Sequence, residues 1–463
     1  MDVLLALLSL ALLMAIAYRG YSVILFAPVA AMLPLLLTHP ADIPGAFSGV
    51  FMEKAITFVK LYFPILLMGA VFGKLIEVSG FAHAIIGAIL RLTRGRMAVF
   101  SIVIAAAVLT YGGVSLFVVV FAIYPFAAGL FRQAGIPKRL IPAALTLGAL
   151  SFTMDSLPGT PQIQNIIPTT FFGTTAWAAP VLGTLGALFI LCSGMAYLTW
   201  RVRVMRGRGE SYGEGHVNEP EVPAAGALPH PLVALAPLVM VVVLTRLLGA
   251  AIPALFGPVV TVALPGMAEP IFIKTATMTG IWALEGALFA AILLTLALRW
   301  RLLSATFADT TRPAISGALL ATMNVASEFG FGAVIAVLPG FLAVRDFVGQ
   351  IGNPLVSTAV VTNVLAGITG SASGGLSIAL AAMGTHFADM ARAAHIPLEV
   401  VHRVSAMASG GMDNMPHNGA IITALAVCGL THRQSYKDIF VITVIKTLAV
   451  FFVIGVYYAT GWV

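Results

Sequence analysis

The chain has 463 residues, of which 60% are hydrophobic and only 9% charged, whereas soluble domains carry about 25% charged residues; it reads as an integral membrane protein. The formal charge of +7 does not point to nucleic acid, because the arginines cluster at the ends of apolar runs, as the positive-inside rule requires. Cys192 and Cys428 both sit in apolar runs, which excludes a disulfide scaffold or a cysteine-rich metal site.

One bilayer crossing takes roughly 20 apolar residues. Spans are expected at 3–18, 22–38, 54–78, 177–200, 229–249, 280–298, 313–342 and 438–462. The first run, Val3 to Ala17, lacks a basic flank before it and an obvious cleavage site, and reads as a retained span. The stretches 97–172 and 355–430 are apolar but interrupted by Gly, Pro and polar residues. Arg19, Arg91 with Arg94 and Arg96, Arg132 with Lys138 and Arg139, the Arg201 to Arg208 cluster, Arg299 with Arg301, and Arg433 with Lys437 are all assigned to the cytoplasm. That assignment, with the N-terminus outside, makes 97–132 a re-entrant hairpin, after which 138–172 crosses outward and 177–200 inward. The stretch 201–228 follows its arginines with Glu210, Glu214, Glu219 and Glu221 among Gly and Pro, and reads as a flexible cytoplasmic linker.

The second half repeats the first with every direction inverted. Gly135-Ile136-Pro137 returns as His395-Ile396-Pro397, Met154-Asp155-Ser156-Leu157-Pro158 as Met412-Asp413-Asn414-Met415-Pro416, and Ser79-Gly80-Phe81 as Pro339-Gly340-Phe341, at offsets of 258 to 260 residues. Similarity at a nearly fixed offset, in segments of opposite assigned direction, is the signature of an inverted-topology repeat. The expected fold class is an all-α integral membrane protein. It has about 11 transmembrane helices, two re-entrant hairpins at 97–132 and 355–391, and two broken helices at 138–172 and 397–430.

Each half has two places where a helix cannot continue. These are Thr110-Tyr111-Gly112-Gly113-Val114-Ser115 and Asp155-Ser156-Leu157-Pro158-Gly159-Thr160 in the first, Thr369-Gly370-Ser371-Ala372-Ser373-Gly374-Gly375 and Asp413-Asn414-Met415-Pro416-His417-Asn418-Gly419 in the second. Irregular backbone at membrane depth is tolerated only where protein or a wet cavity surrounds it. Half-helix N-termini and Gly/Ser tips suit a small anion, so a carboxylate is the expected ligand. The candidate substrate-binding residues are Tyr111, Gly112, Gly113, Ser115, Ser156, Gly159, Thr160, Gly370, Ser371, Ser373, Gly374, Asn414, His417 and Asn418. Close helix packing is the other use of small residues at such tips.

An ionisable residue at membrane depth usually marks an ion or proton pathway. Asp155 and Asp413, with His417 beside the second, are the candidate proton-coupling residues. Each aspartate also has the option of capping its half-helix. His402 and His386 read as packing or vestibule residues, and Lys74 and Glu77 as snorkelling residues at a span end. Glu328 lies inside the span 313–342, where it could pair with Asn324 or face a moving interface. No GxxxxGK[ST] loop, HExxH motif or Cys/His cluster occurs, so neither ATP hydrolysis nor metal catalysis is expected, and no cofactor beyond a coupling ion.

The stretch Ser409-Gly410-Gly411-Met412-Asp413-Asn414-Met415-Pro416-His417-Asn418-Gly419, with Cys428-Gly429-Leu430-Thr431-His432-Arg433 and Asp155-Ser156-Leu157-Pro158-Gly159-Thr160-Pro161, resembles the gluconate:proton symporter family of organic-acid permeases, within the ion transporter superfamily. The resemblance spans almost the whole chain. It implies a bacterial inner membrane protein, secondary transport of a sugar acid or hydroxy acid, and a homodimer. Scaffold helices, 1–96 and 229–354, would hold an elevator-like mobile part, 97–200 and 355–463, with 201–228 joining the repeats. The tips Tyr-Gly-Gly-Val-Ser and Gly-Ser-Ala-Ser-Gly-Gly depart from the Ser-Asn-Thr of sodium-coupled dicarboxylate carriers, which favours protons over sodium; Ser371 and Ser373 keep sodium open. With no Lys or Arg in the four breaks, a monocarboxylate carried with a proton is expected rather than a dicarboxylate. The alternatives are sodium-coupled symport, a passive anion channel, and an intramembrane aspartyl protease built on the two aspartates. Against the last, neither aspartate lies in a Gly-x-Gly-Asp setting.

Overall fold

The computed structural model describes residues 2–19, 21–93, 97–114, 116–220, 228–340 and 351–463. The first half begins with α1 (Asp2–Tyr18) and α2 (Val23–Thr38). The long α3 (Pro40–Val78) is continuous through a π-helical stretch, Ala46–Met52. Gly80, at φ 79°, turns the chain into α4 (Phe81–Leu92), a left-handed conformation that glycine adopts without penalty. Next come α5 (Ala98–Tyr111) and α6 (Leu116–Gln133), packed together as a hairpin. The following segment is interrupted, as α7 (Ile141–Ala149), the one-turn α8 (Phe152–Asp155) and α9 (Ile163–Phe172). The half closes with α10 (Pro180–Gly207).

Among the described residues the second half has a similar succession, without a counterpart of α4. It runs through α11 (Pro231–Phe256), α12 (Thr275–Leu298) and the long α13 (Trp300–Val337). The hairpin of α14 (Pro354–Thr369) and α15 (Ala372–Ala393) follows, then the interrupted pair α16 (Leu398–Ser409) and α17 (Gly419–Val427), then α18 (His432–Thr460). The corresponding long helices α3 and α13 pack against each other more extensively than any other pair, with the Phe58 and Phe329 rings 5.7 Å apart. α10 and α18 likewise pack together.

Among the described residues six helices, α3, α10, α11, α12, α13 and α18, are long and apolar enough to cross a membrane. A total of about 11 would require shorter helices such as α2, and the interrupted segments 138–172 and 397–430, to cross as well. The chain is a largely helical membrane protein. Two expectations are corrected. The fold is not all-α, since β1 (Val259–Val262) pairs antiparallel with β2 (Ile271–Lys274) between α11 and α12; both strands are rich in β-branched residues, which suit a pleated strand. The described part of 201–228 is not a free linker either. Lys138 Nζ lies 2.8 Å from Glu219 Oε1, Arg139 pairs with Glu210, and Asn218 Nδ2 donates to Ala426 O at 3.1 Å. Its carboxylates meet basic helix ends, and the segment is strapped across them.

Candidate functional site

Both interrupted helices owe their geometry to local chemistry. After Asp155 the chain meets Pro158, which has no N–H to donate, and Gly159 at φ 79°. The freed groups are taken up nearby. Gly159 N donates to Ala176 O at 2.8 Å, Thr160 Oγ1 to Thr153 O at 2.7 Å, and Asn165 Nδ2 to Thr160 O at 2.9 Å. In the second half Asn418 caps α17: its Oδ1 accepts from Ala420 N at 2.7 Å and Ile421 N at 3.0 Å, while its Nδ2 donates to Asp413 O at 2.9 Å.

The two aspartates meet at a cation from a third element. Asp155, Asp413 and Lys446 of α18 are each 1% exposed. Lys446 Nζ donates to Asp413 Oδ1 at 2.9 Å and to Leu150 O at 2.5 Å, and stands 3.8 Å from Asp155 Oδ2. Asp155 Oδ1 accepts from Ser156 Oγ at 2.6 Å. Gly410 makes the junction possible, because a Cβ there would collide with Asp155 Oδ2. A second cation, Arg403 of α16, is fully buried and supports the backbone of the first break. It donates to Asp155 O at 3.2 Å, Asn165 Oδ1 at 2.9 Å and Ala178 O at 2.7 Å. His402 beside it contacts Asn165 Oδ1 at 3.2 Å and Thr174 Oγ1 at 2.6 Å. Thr174 lines a cavity of about 340 Å³, so hydrogen-bonded side chains link that cavity wall to the Asp155 backbone.

Each hairpin tip lies on the break of its own half. Tyr111 Oη donates to Pro158 O at 2.8 Å, and Gly113, at φ 93°, is tight against Pro161. Gly112 faces Leu238 of α11, and Ser115 lies outside the described residues. In the second half Gly370, at φ 61°, abuts the His417 ring, whose Nε2 is 3.2 Å from Ile368 O. Ser371 Oγ caps α15 by accepting from Gly374 N at 3.0 Å, with Ser373 Oγ 3.5 Å away. Gly374 lies under Glu328. The structure thus gathers the candidate residues into two tip-and-break groups joined at Lys446. Gly159, Thr160 and Asn418 spend their polar groups on the fold itself.

Several buried polar atoms have no hydrogen-bond partner among the described residues. Asn414 presents both Oδ1 and Nδ2 unpaired, and Asp155 Oδ2 and Asn363 Nδ2 join it; Asn363 packs against Gly411 of the second break. Buried polar groups are normally satisfied, and these four atoms lie at or against the two breaks.

Sequence reasoning passed over Lys446 and Arg403, the first of them a lone lysine in an apolar span. The rule that singled out the aspartates applies to it equally. The expectation that no cation attends the breaks is therefore corrected: α16 and α18 supply two.

The chain is 49% identical over 473 residues to the uncharacterized transporter YxjC of Bacillus subtilis (strain 168), with 100% of both chains covered. This chain belongs to the YxjC transporter family. No protein-family model matches it, and the relative's name supports a transporter rather than the gluconate permease family. Of solved structures, the Alcanivorax borkumensis YdaH transporter is similar at a TM-score of 0.49 and 15% identity, over 92% of this chain and 90% of that one. The curated relative is named as a transporter, and the chain is accordingly a transporter rather than an enzyme, which sets aside the protease alternative.

Proposed function

We propose that the chain is a secondary transporter that carries a small organic monocarboxylate together with a proton. The observation that carries this reading is the buried Asp155, Lys446 and Asp413 cluster, at which the two breaks meet. With Arg403 the region holds two carboxylates and two cations, and is neutral when all four are charged. One substrate carboxylate adds a negative charge that one proton cancels, so the pair enters without leaving an uncompensated buried charge. A dicarboxylate would need a second proton or another cation. The unpaired amide of Asn414 and the Gly/Ser tips supply hydrogen bonds to the anion, and a sugar acid such as gluconate or a hydroxy acid such as 3-hydroxybutyrate fits this chemistry.

In the transport cycle Lys446 and a proton alternate as partners of Asp413. A local rearrangement within the mobile part that separates Lys446 from Asp413 exposes a carboxylate, which takes up a proton from the open side and releases it when the lysine returns. The mobile part, 97–200 and 355–463, would slide as a unit within a homodimer in a bacterial inner membrane, as in the elevator arrangement implied by the gluconate:proton symporter resemblance.

Purified protein in liposomes tests the reading, with labelled gluconate and 3-hydroxybutyrate supplied under an inward proton gradient, an inward sodium gradient, or neither. Accumulation under the proton gradient alone is expected. Accumulation only with sodium would move coupling to the tip hydroxyls, and equilibration without accumulation would indicate a channel.

A further inference from the structure

Glu328 of α13 takes no part in the cluster just described, and it is 5% exposed. Among the described residues its Oε2 has no hydrogen-bond partner, so it does not bond Asn324, one of the two options the sequence left open. The carboxyl instead lies against the backbone of Gly374 in the first turn of the 22-residue α15, where any side chain at Gly374 would collide with both oxygens. Two N–H groups of that turn are already engaged, Gly374 by Ser371 Oγ and Gly375 by Ser371 O. The carboxyl thus lies beside the N-terminal turn of the helix that begins at the second hairpin tip.

Among the described residues no counter-charge pairs with it. On α3, Glu53, Lys54 and Lys60 are exposed, as is Arg312 on α13; these and His386 of α15 form no ion pair with Glu328 among the described residues. Gly330 and Gly332 bring α13 onto Phe51 and Ile378, so the neighbours are apolar. A metal cation has one carboxylate to bind here and a helix N-terminus to repel it. Among the described residues no cluster of His, Cys, Asp or Glu capable of holding a metal occurs.

We propose that Glu328 is a second proton-binding site, a latch between α13 and the second hairpin that holds when the carboxyl is ionised and releases when it is protonated. The inference rests on the reading of the hairpin tip as part of the substrate site. As a carboxylate, Glu328 is attracted to the α15 N-terminus and pins the tip to α13; proton uptake abolishes that attraction and frees the tip to admit an anion in its place. The order of events is thus proton first, carboxylate second. Nothing in it depends on which aspartate carries the coupled proton.

Hydrogen exchange of the backbone amides of 371–377, followed over a pH series on the full chain in nanodiscs with no substrate and corrected for intrinsic exchange rates, tests the latch. In the wild-type chain protection of this turn falls by about tenfold as pH is lowered through the titration, the size of a modest local opening equilibrium. Glu328→Gln is expected to show the low-pH exchange at every pH, with α11 unchanged as the internal control for folding. Gly374→Ala, which retains the carboxyl but displaces it, is expected to do the same. Asp413→Asn keeps the wild-type pH dependence. A Glu328→Gln profile that follows wild type, or Gly374→Ala exchange with wild-type pH dependence, overturns the proposal. Absence of proton-driven uptake in liposomes would overturn the symport reading instead, and leave this result standing.

Discussion

Lys446 Nζ and Asp413 Oδ1 lie 2.9 Å apart, both buried, in a contact between α18 and the break that precedes α17. The same ammonium approaches Asp155 of the other half, so one side chain holds the repeat-related breaks together.

Removing that ammonium leaves two carboxylates without their cation. Loss of one partner from a buried ion pair costs about 3–5 kcal/mol. Lys446→Met is expected to lower stability by that order and to abolish uptake, whereas Lys446→Met with Asp413→Asn recovers part of the stability and none of the uptake. Thermal unfolding of the purified single and double variants, alongside uptake, checks both.

Arg403 uses the fork of its guanidinium, donating from Nε, Nη1 and Nη2 to Asp155 O, Asn165 Oδ1 and the carbonyls of Ala176 and Ala178. A lysine keeps the charge but cannot reproduce the fork. Hydrogen bonds to charged groups contribute about 1.5–3 kcal/mol each, so Arg403→Lys is expected to destabilise by at least that much and to reduce uptake. Unfolding in denaturant with unchanged m-value is the test.

At Gly410 even a methyl group is too large, since it would occupy the place of Asp155 Oδ2. Gly410→Ala is expected to separate Asp155 from Lys446 and cut transport more than tenfold, about the effect of 1.4 kcal/mol in a critical contact, in protein that still reaches the membrane. Quantified membrane expression beside uptake distinguishes this from failed folding.

The strap that joins the halves offers a pH test outside the spanning segments. Burial raises the Tyr212 phenol above its ordinary value of 10.0, and its hydroxyl donates to Glu219 Oε1 at 3.0 Å. The folded state thus holds the phenolic proton more tightly than the unfolded chain. This contribution to stability is full below pH about 10 and declines as pH rises above it. Melting temperatures across the alkaline range should fall more steeply for wild type than for Tyr212→Phe.

Much of this arrangement is legible in the residues. Gly112-Gly113 and Gly370-Ser371 mark the hairpin tips because helices stop where small residues follow a polar one, and Asp155 and Asp413 stand out because charges are rare in apolar runs. Lys446 was equally visible, but a single lysine with no broken helix around it resembles a snorkelling residue until the fold shows it fully enclosed. Arg403 lies in α16 among polar neighbours, and only packing against the first break reveals that it binds Asp155 O across the repeat. The Gly374 and Glu328 contact joins distant segments through shape, which no local pattern encodes. Composition likewise suggested a free linker at 201–228, whereas Glu210 and Glu219 find partners that only the folded helix ends bring near.

The most direct test of the Asp155, Lys446 and Asp413 cluster is to record proton entry into liposomes with a trapped pH indicator on addition of gluconate or 3-hydroxybutyrate, for wild type and Asp413→Asn. Coupling through the cluster predicts substrate-dependent internal acidification by wild type, and none by Asp413→Asn even where that variant still exchanges labelled for unlabelled substrate. Wild-type acidification by Asp413→Asn, or substrate accumulation by wild type without any proton movement, would contradict it.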